Sequence, residues 1–121
     1  MLELNTDRML AEIVDGIGWM TFNNPARHNA LSLEMWQAIG AIVAHFEADD
    51  DVRVIVMKGA GGKAFVSGAD ITEFDKQRAN SAQKEQYARI SASGSRALTA
   101  LSKPLIAMVE GYCIGGGLAT A

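Results

Sequence analysis

The chain has 121 residues, 49% of them hydrophobic and 21% charged, with a net charge of −3 at pH 7. That is the profile of one small soluble globular unit, and it excludes a disordered or fibrous chain. The acidic balance supplies no basic face for nucleic acid, and no apolar run approaches a membrane span. A lone cysteine, Cys113, cannot close an internal disulfide, and no basic and apolar leader opens the sequence. The expected compartment is therefore the cytoplasm.

In chain order, Met9 to Val14 and Trp19 to Phe22 read as strands joined by Asp15-Gly16-Ile17-Gly18. Asp-Gly between apolar runs is a hairpin signal, so the two should pair antiparallel. Asn23-Asn24-Pro25 ends the second strand with turn formers. Ser32 reads as an N-cap, and Met35, Ile39, Ile42, Val43 and Phe46 recur at helical spacing until Asp49-Asp50-Asp51. Val52 to Met57 is a β-branched, nearly continuous apolar run, the pattern of a parallel strand covered on both faces. Gly59 to Gly62 reads as a flexible loop and Ala64-Phe65-Val66 as a brief extended piece. Ser81 to about Ala100 reads as a second helix with Tyr87, Ile90, Gly94, Ala97, Leu98 and Leu101 on one face. Lys103-Pro104 breaks it, and Leu105 to Val109 reads as another buried strand. Strands alternating with helices give an α/β layered fold with right-handed crossovers and no internal domain boundary.

Three glycine-rich segments invite a chemical reading. Gly59-Ala60-Gly61-Gly62-Lys63-Ala64 matches the letters of a dinucleotide-binding turn, but Phe65-Val66-Ser67-Gly68 follows where that motif must open a helix. It also lacks the spacing of a P-loop, so a mobile surface loop is expected and nucleotide binding is not. Ser67-Gly68-Ala69-Asp70 follows a short strand, where small residues let backbone N–H groups face a ligand. The alternative is an ordinary tight turn capped by Asp70. Gly111-Tyr112-Cys113-Ile114-Gly115-Gly116-Gly117 follows the strand at Leu105 and precedes a helix start. Three consecutive glycines suit a backbone pressed against a ligand, or a close strand–helix crossing without one. If both turns leave strands of one sheet, their N–H groups converge on one oxygen and stabilise an oxyanion formed from a carbonyl substrate. The remaining polar candidates carry less. His45 is expected to be structural or to face solvent, Glu110 to be a structural carboxylate sooner than an acid or base, and Cys113 to be buried and inert, and no spacing of ligand residues suggests a metal.

Three longer segments occur in one order: Asn23-Asn24-Pro25-Ala26-Arg27-His28-Asn29-Ala30-Leu31, then Lys63 to Ile71, then Lys103 to Tyr112 running into the glycine triplet. Together they resemble the crotonase, or enoyl-CoA hydratase/isomerase, superfamily, over essentially the whole chain. The resemblance implies a ββα-repeat spiral fold, with residues 1–121 as the N-terminal part of a single crotonase-like domain whose C-terminal remainder is absent. It implies assembly as homotrimers or homohexamers. It also implies an acyl- or enoyl-CoA thioester substrate with no permanently bound cofactor. The backbone N–H groups of Ala69 and Gly116 would form the oxyanion hole, with Gly115 beside the substrate. Ala26, Arg27 and His28 would lie near the CoA nucleotide and phosphates, and Ser67, Ala69, Asp70 and Ile71 would border adenine and pantetheine. One position departs from the hydratase pattern: Ala119 stands where those enzymes carry a catalytic glutamate. A second acidic residue of hydratases would lie beyond Ala121. Isomerases, hydrolases and decarboxylases place their acid or base elsewhere on the same scaffold, and a non-catalytic acyl-CoA-binding protein would lack both.

Overall fold

A computed structural model describes residues 6–68 and 81–113. Strands β1 (Met9–Val14) and β2 (Ile17–Phe22) form the expected hairpin, paired antiparallel from Met9 opposite Phe22 to Val14 opposite Ile17. Its connection is shorter than the sequence suggests. Only Asp15 and Gly16 turn, at φ 52° and 84°, the doubly left-handed pair that matches the twist of a two-residue hairpin.

Helix α1 (Leu33–Ala48) begins at the predicted cap, where the Ser32 hydroxyl accepts from the Met35 N–H at 3.3 Å. Met35, Ile39, Ile42, Val43 and Phe46 are buried, as their spacing predicts, and Ala38 joins them on that face. At its other end the Lys103 ammonium donates to the carbonyls of Phe46 and Asp49, at 2.6 and 2.7 Å. These are orphan acceptors of a helix C-terminus, where a cation is favoured. Helix α2 (Ser81–Thr99) packs on α1 with Gly94 against Trp36, where a Cβ would fall 2.8 Å from the indole ring.

Strand β3 (Val54–Gly59) starts two residues later than the apolar run, because Asp49 to Arg53 is spent on a turn closed by the Val52 N–H to Asp49 carbonyl bond. It lies in the middle of a four-stranded sheet ordered β1-β2-β3-β5, parallel to both β2 and β5 (Leu105–Met108). Ile55, Val56 and Met57 are accordingly buried on both faces. The expectation of a buried strand at Leu105 to Val109 is corrected. Among the described residues β5 has β3 as its one neighbour; its Leu105 and Ala107 pack against the core, while Ile106 is 53% exposed and Met108 and Val109 also face outward.

Strands β4 (Ala64–Val66) and β6 (Tyr112–Cys113) form a separate two-stranded parallel sheet. Phe65 of β4 meets Phe22 of β2 edge-to-face, centroids 5.3 Å apart, which joins the two sheets across the core.

Candidate functional site

The site is built around the segment between β2 and α1. Asn23 anchors its start: its N–H donates to the Arg8 carbonyl at 2.7 Å and its Nδ2 to the Asp7 carbonyl at 2.8 Å. A single 3-10 turn, Pro25–Arg27, follows. Proline at its first position fixes φ where no N–H is needed. The turn ends in two consecutive left-handed residues, His28 at φ 53° and Asn29 at φ 59°. Such a conformation is costly for a non-glycine residue and persists only where surrounding bonds over-determine it.

Two asparagines provide those bonds. Asn24 donates from Nδ2 to the Ala30 carbonyl at 3.1 Å, and its own N–H donates to Asn29 Oδ1 at 2.8 Å. Asn29 is 0% exposed, and its Nδ2 donates to the carbonyls of Ala60 at 3.0 Å and Ala64 at 2.9 Å. The Asn29 side chain therefore ties this segment to the end of β3 and to the start of β4. In the sequence Asn24 reads as a turn former and Asn29 only as part of a longer motif. The usable signal was Asn beside a demanding turn, since Asn tolerates left-handed backbone and can bond the main chain.

The same segment then grips the chain leaving β4. The Ser67 N–H donates to the His28 carbonyl at 3.2 Å, and the Leu31 N–H donates to the Gly68 carbonyl at 2.7 Å. The Ser67 hydroxyl donates to the Arg27 carbonyl at 3.3 Å. Gly68 takes φ 129°, a conformation that favours glycine, as the chain turns away. Four predicted site residues, Ala26, Arg27, His28 and Ser67, are thus brought onto two adjoining segments. Ala26, Arg27 and His28 are exposed and Ser67 is half-buried. Ala69, Asp70, Ile71, Gly115 and Gly116, and the Ala119 position, lie outside the described residues.

The route by which the two glycine-framed turns approach each other differs from expectation. They do not follow strands of one sheet as read from the sequence, because Ala64–Val66 and Leu105–Met108 belong to different sheets. Tyr112 and Cys113, which the sequence places inside the second glycine-rich segment, instead form β6. β6 pairs in parallel with β4, Ala64 opposite Tyr112 and Val66 opposite Cys113. Parallel neighbours end on the same side, so the chain leaves Val66 and Cys113 from adjacent points in the same direction.

Two glycines admit β4 closely, Gly59 at its approach to β3 and Gly111 just before β6. At Gly59 a Cβ would fall 2.1 Å from the Ala64 carbonyl oxygen, 2.6 Å from Asn29 Nδ2 and 2.7 Å from the Phe65 carbonyl oxygen. At Gly111, with φ 72°, a Cβ would fall 1.9 Å from the Lys63 carbonyl oxygen. The first glycine of the apparent nucleotide motif is therefore the last residue of β3 and a packing notch, not part of a loose loop. Gly61 and Gly62, at φ 87° and 74°, make the turn into β4. No helix opens there: the next element is β4.

Elsewhere, a surface depression beside the C-terminus of α1 is lined by His45, Ala48, Asp49, Asp50 and Asp51. Its three carboxylates repel a phosphate. Of the two expectations for His45 the structure shows the solvent-facing one, and the expectation of a buried Cys113 is corrected: it is half-buried on the two-residue strand β6. Among the described residues, no group of three or more His, Cys, Asp or Glu could hold a metal ion, and no helix is long and apolar enough to cross a membrane.

The sequence profile of the family described as Enoyl-CoA hydratase/isomerase matches residues 12–121. A short-chain-enoyl-CoA hydratase of Clostridium acetobutylicum is 32% identical over 116 residues, covering 96% of this chain and 43% of that protein. A mitochondrial 3-hydroxyisobutyryl-CoA hydrolase of Mus musculus is 38% identical over 107 residues, covering 84% of this chain and 26% of that protein. Among solved structures, an enoyl-CoA hydratase/carnithine racemase from Magnetospirillum magneticum superposes with a TM-score of 0.91 at 38% identity, covering 97% of this chain and 44% of that one. The chain thus spans less than half the length of these relatives.

Proposed function

Because the chain belongs to the enoyl-CoA hydratase/isomerase family, we propose that it serves an acyl-CoA-processing enzyme which stabilises a thioester enolate or oxyanion with two backbone N–H groups. The observation that supports this reading is the parallel pairing of β4 with β6, which puts Val66 and Cys113 side by side. On this reading the Ala69 and Gly116 N–H groups bond the thioester oxygen, with Gly115 lining the same turn. Donors fixed by backbone need no reorganisation as charge develops, and each contributes on the order of 3 kcal/mol to the transition state.

The CoA end of the substrate is assigned to the paired segments. Arg27 and His28 meet the phosphates beside Ala26, and Ser67, Asp70 and Ile71 border adenine and pantetheine. Coenzyme A enters as part of the substrate, so no resident cofactor is required. Assembly as a homotrimer or homohexamer in the cytoplasm belongs to the same reading.

Ala119, in place of the hydratase glutamate, argues against hydration by two carboxylates and for an acid or base placed elsewhere. It also keeps a second reading in view, a non-catalytic acyl-CoA-binding protein. Titration with an enoyl-CoA and with its 3′-dephospho form is the test. Binding that weakens without the 3′-phosphate supports the proposal; absence of binding to either overturns it. Turnover of a panel of enoyl-, acyl- and malonyl-CoA thioesters then separates an enzyme from a binding protein.

A further inference from the structure

We infer that Asn29 is a positioning residue that sets the path of Ser67 and Gly68 as the chain leaves β4. Its role in chemistry rests on the function proposed above, while its role in placement does not. Asn29 is fully buried and holds a left-handed φ of 59°. Its amide spans three segments: Oδ1 accepts from the Asn24 N–H at 2.8 Å, and Nδ2 donates to the Ala60 and Ala64 carbonyls at 3.0 and 2.9 Å. Both Nδ2 hydrogens are used, so the group is oriented at three points. A buried amide in this position has no water to fall back on.

Two further observations point the same way. Gly59 leaves a notch that a Cβ would close against this very nitrogen, at 2.6 Å. The residues flanking Asn29 supply the bonds that hold the chain leaving β4: the His28 carbonyl accepts from Ser67, and the Leu31 N–H donates to Gly68. The path is therefore short. Asn29 fixes the 28–31 backbone relative to β3 and β4, and that backbone fixes residues 67–68, immediately before the proposed Ala69 donor. An error of about 1 Å in a reacting geometry is enough to cost about a hundredfold in rate.

The test uses Asn29→Asp, which keeps the shape and the Oδ1 acceptor but replaces both donated bonds with carboxylate–carbonyl repulsion. Asn29→Gly, which keeps the left-handed backbone without burying a charge, serves if the first variant does not fold. Ile42→Ala, in the α1 core and outside the site, is the control for lost stability alone. Amide hydrogen exchange should quicken by about tenfold or more at Ser67 and Leu31 in the Asn29 variants, while α1 amides follow the control. On whichever CoA thioester the parent turns over, kcat should fall by about tenfold or more, with KM changing less than about threefold. The Ile42→Ala variant should keep its kcat. Unchanged exchange at Ser67 and Leu31 overturns the positioning role. Faster exchange with kcat equal to the control's overturns its link to chemistry. A parent with neither binding nor turnover instead refutes the functional proposal, and the exchange result still decides what Asn29 does.

Discussion

Replacing Gly59 with alanine adds one methyl group at the point where β3, β4 and the Asn29 amide meet. That Cβ would lie 2.1 Å from the Ala64 oxygen and 2.7 Å from the Phe65 oxygen, both main-chain atoms that cannot rotate aside. Gly59 does not have a positive φ, so the cost is steric and not conformational. Overpacking alone costs about 1–3 kcal/mol. Moving β4 away also strains the Asn29 bonds to Ala60 and Ala64, and a buried donor left unpaired costs about 1–3 kcal/mol. The loss should therefore be about 3 kcal/mol, read as a fall of about 2 M in the urea midpoint for a slope of about 1.5 kcal/mol/M. Gly40→Ala is the matched control. It lies in α1 with nothing within 4 Å of the added Cβ, and should gain about 0.5–1 kcal/mol. A Gly59→Ala protein within about 0.5 kcal/mol of the parent, below the overpacking range, would refute the close approach of β3 and β4.

Phe65→Ala should cost about 3–5 kcal/mol in chemical denaturation, because the ring is fully buried and pairs with Phe22 across the two sheets. Lys103→Met keeps the aliphatic stem but removes both bonds to the end of α1, and should cost about 2 kcal/mol in the same assay. Ser32→Ala should cost about 1 kcal/mol through the lost cap, measured as a lower melting temperature.

Much of the fold was legible because its signals are local. Asp15-Gly16 specifies its hairpin by backbone conformation, Ser32 marks its helix by capping, and the run at Ile55-Val56-Met57 betrays burial on both faces. The misreadings share a physical cause. β6 is two residues long, too short for any periodicity, and exists as a strand only because β4 lies beside it. The Leu105 to Val109 run looks like a buried strand, yet burial depends on neighbours, and among the described residues β5 pairs with β3 alone and leaves Ile106 outward. Gly59 was assigned to a loop by its glycine neighbours, whereas its identity answers to the approach of β4. Asn29 was the deepest omission. A polar residue after proline and arginine reads as surface, and only the arrival of the Ala60 and Ala64 carbonyls buries it. The segment from Asn23 to Leu31 could be singled out from the sequence, but the device that holds it could not.

The central claim is that two backbone N–H groups polarise a thioester carbonyl. Infrared difference spectroscopy of the protein with an enoyl-CoA carrying a ¹³C-labelled thioester carbonyl tests it without requiring turnover. Two donors on the oxygen should shift the labelled band to lower wavenumber than in free solution, and Gly116→Val should abolish the shift while the protein stays folded. A bound ligand whose carbonyl band stays at its solution position would contradict the account.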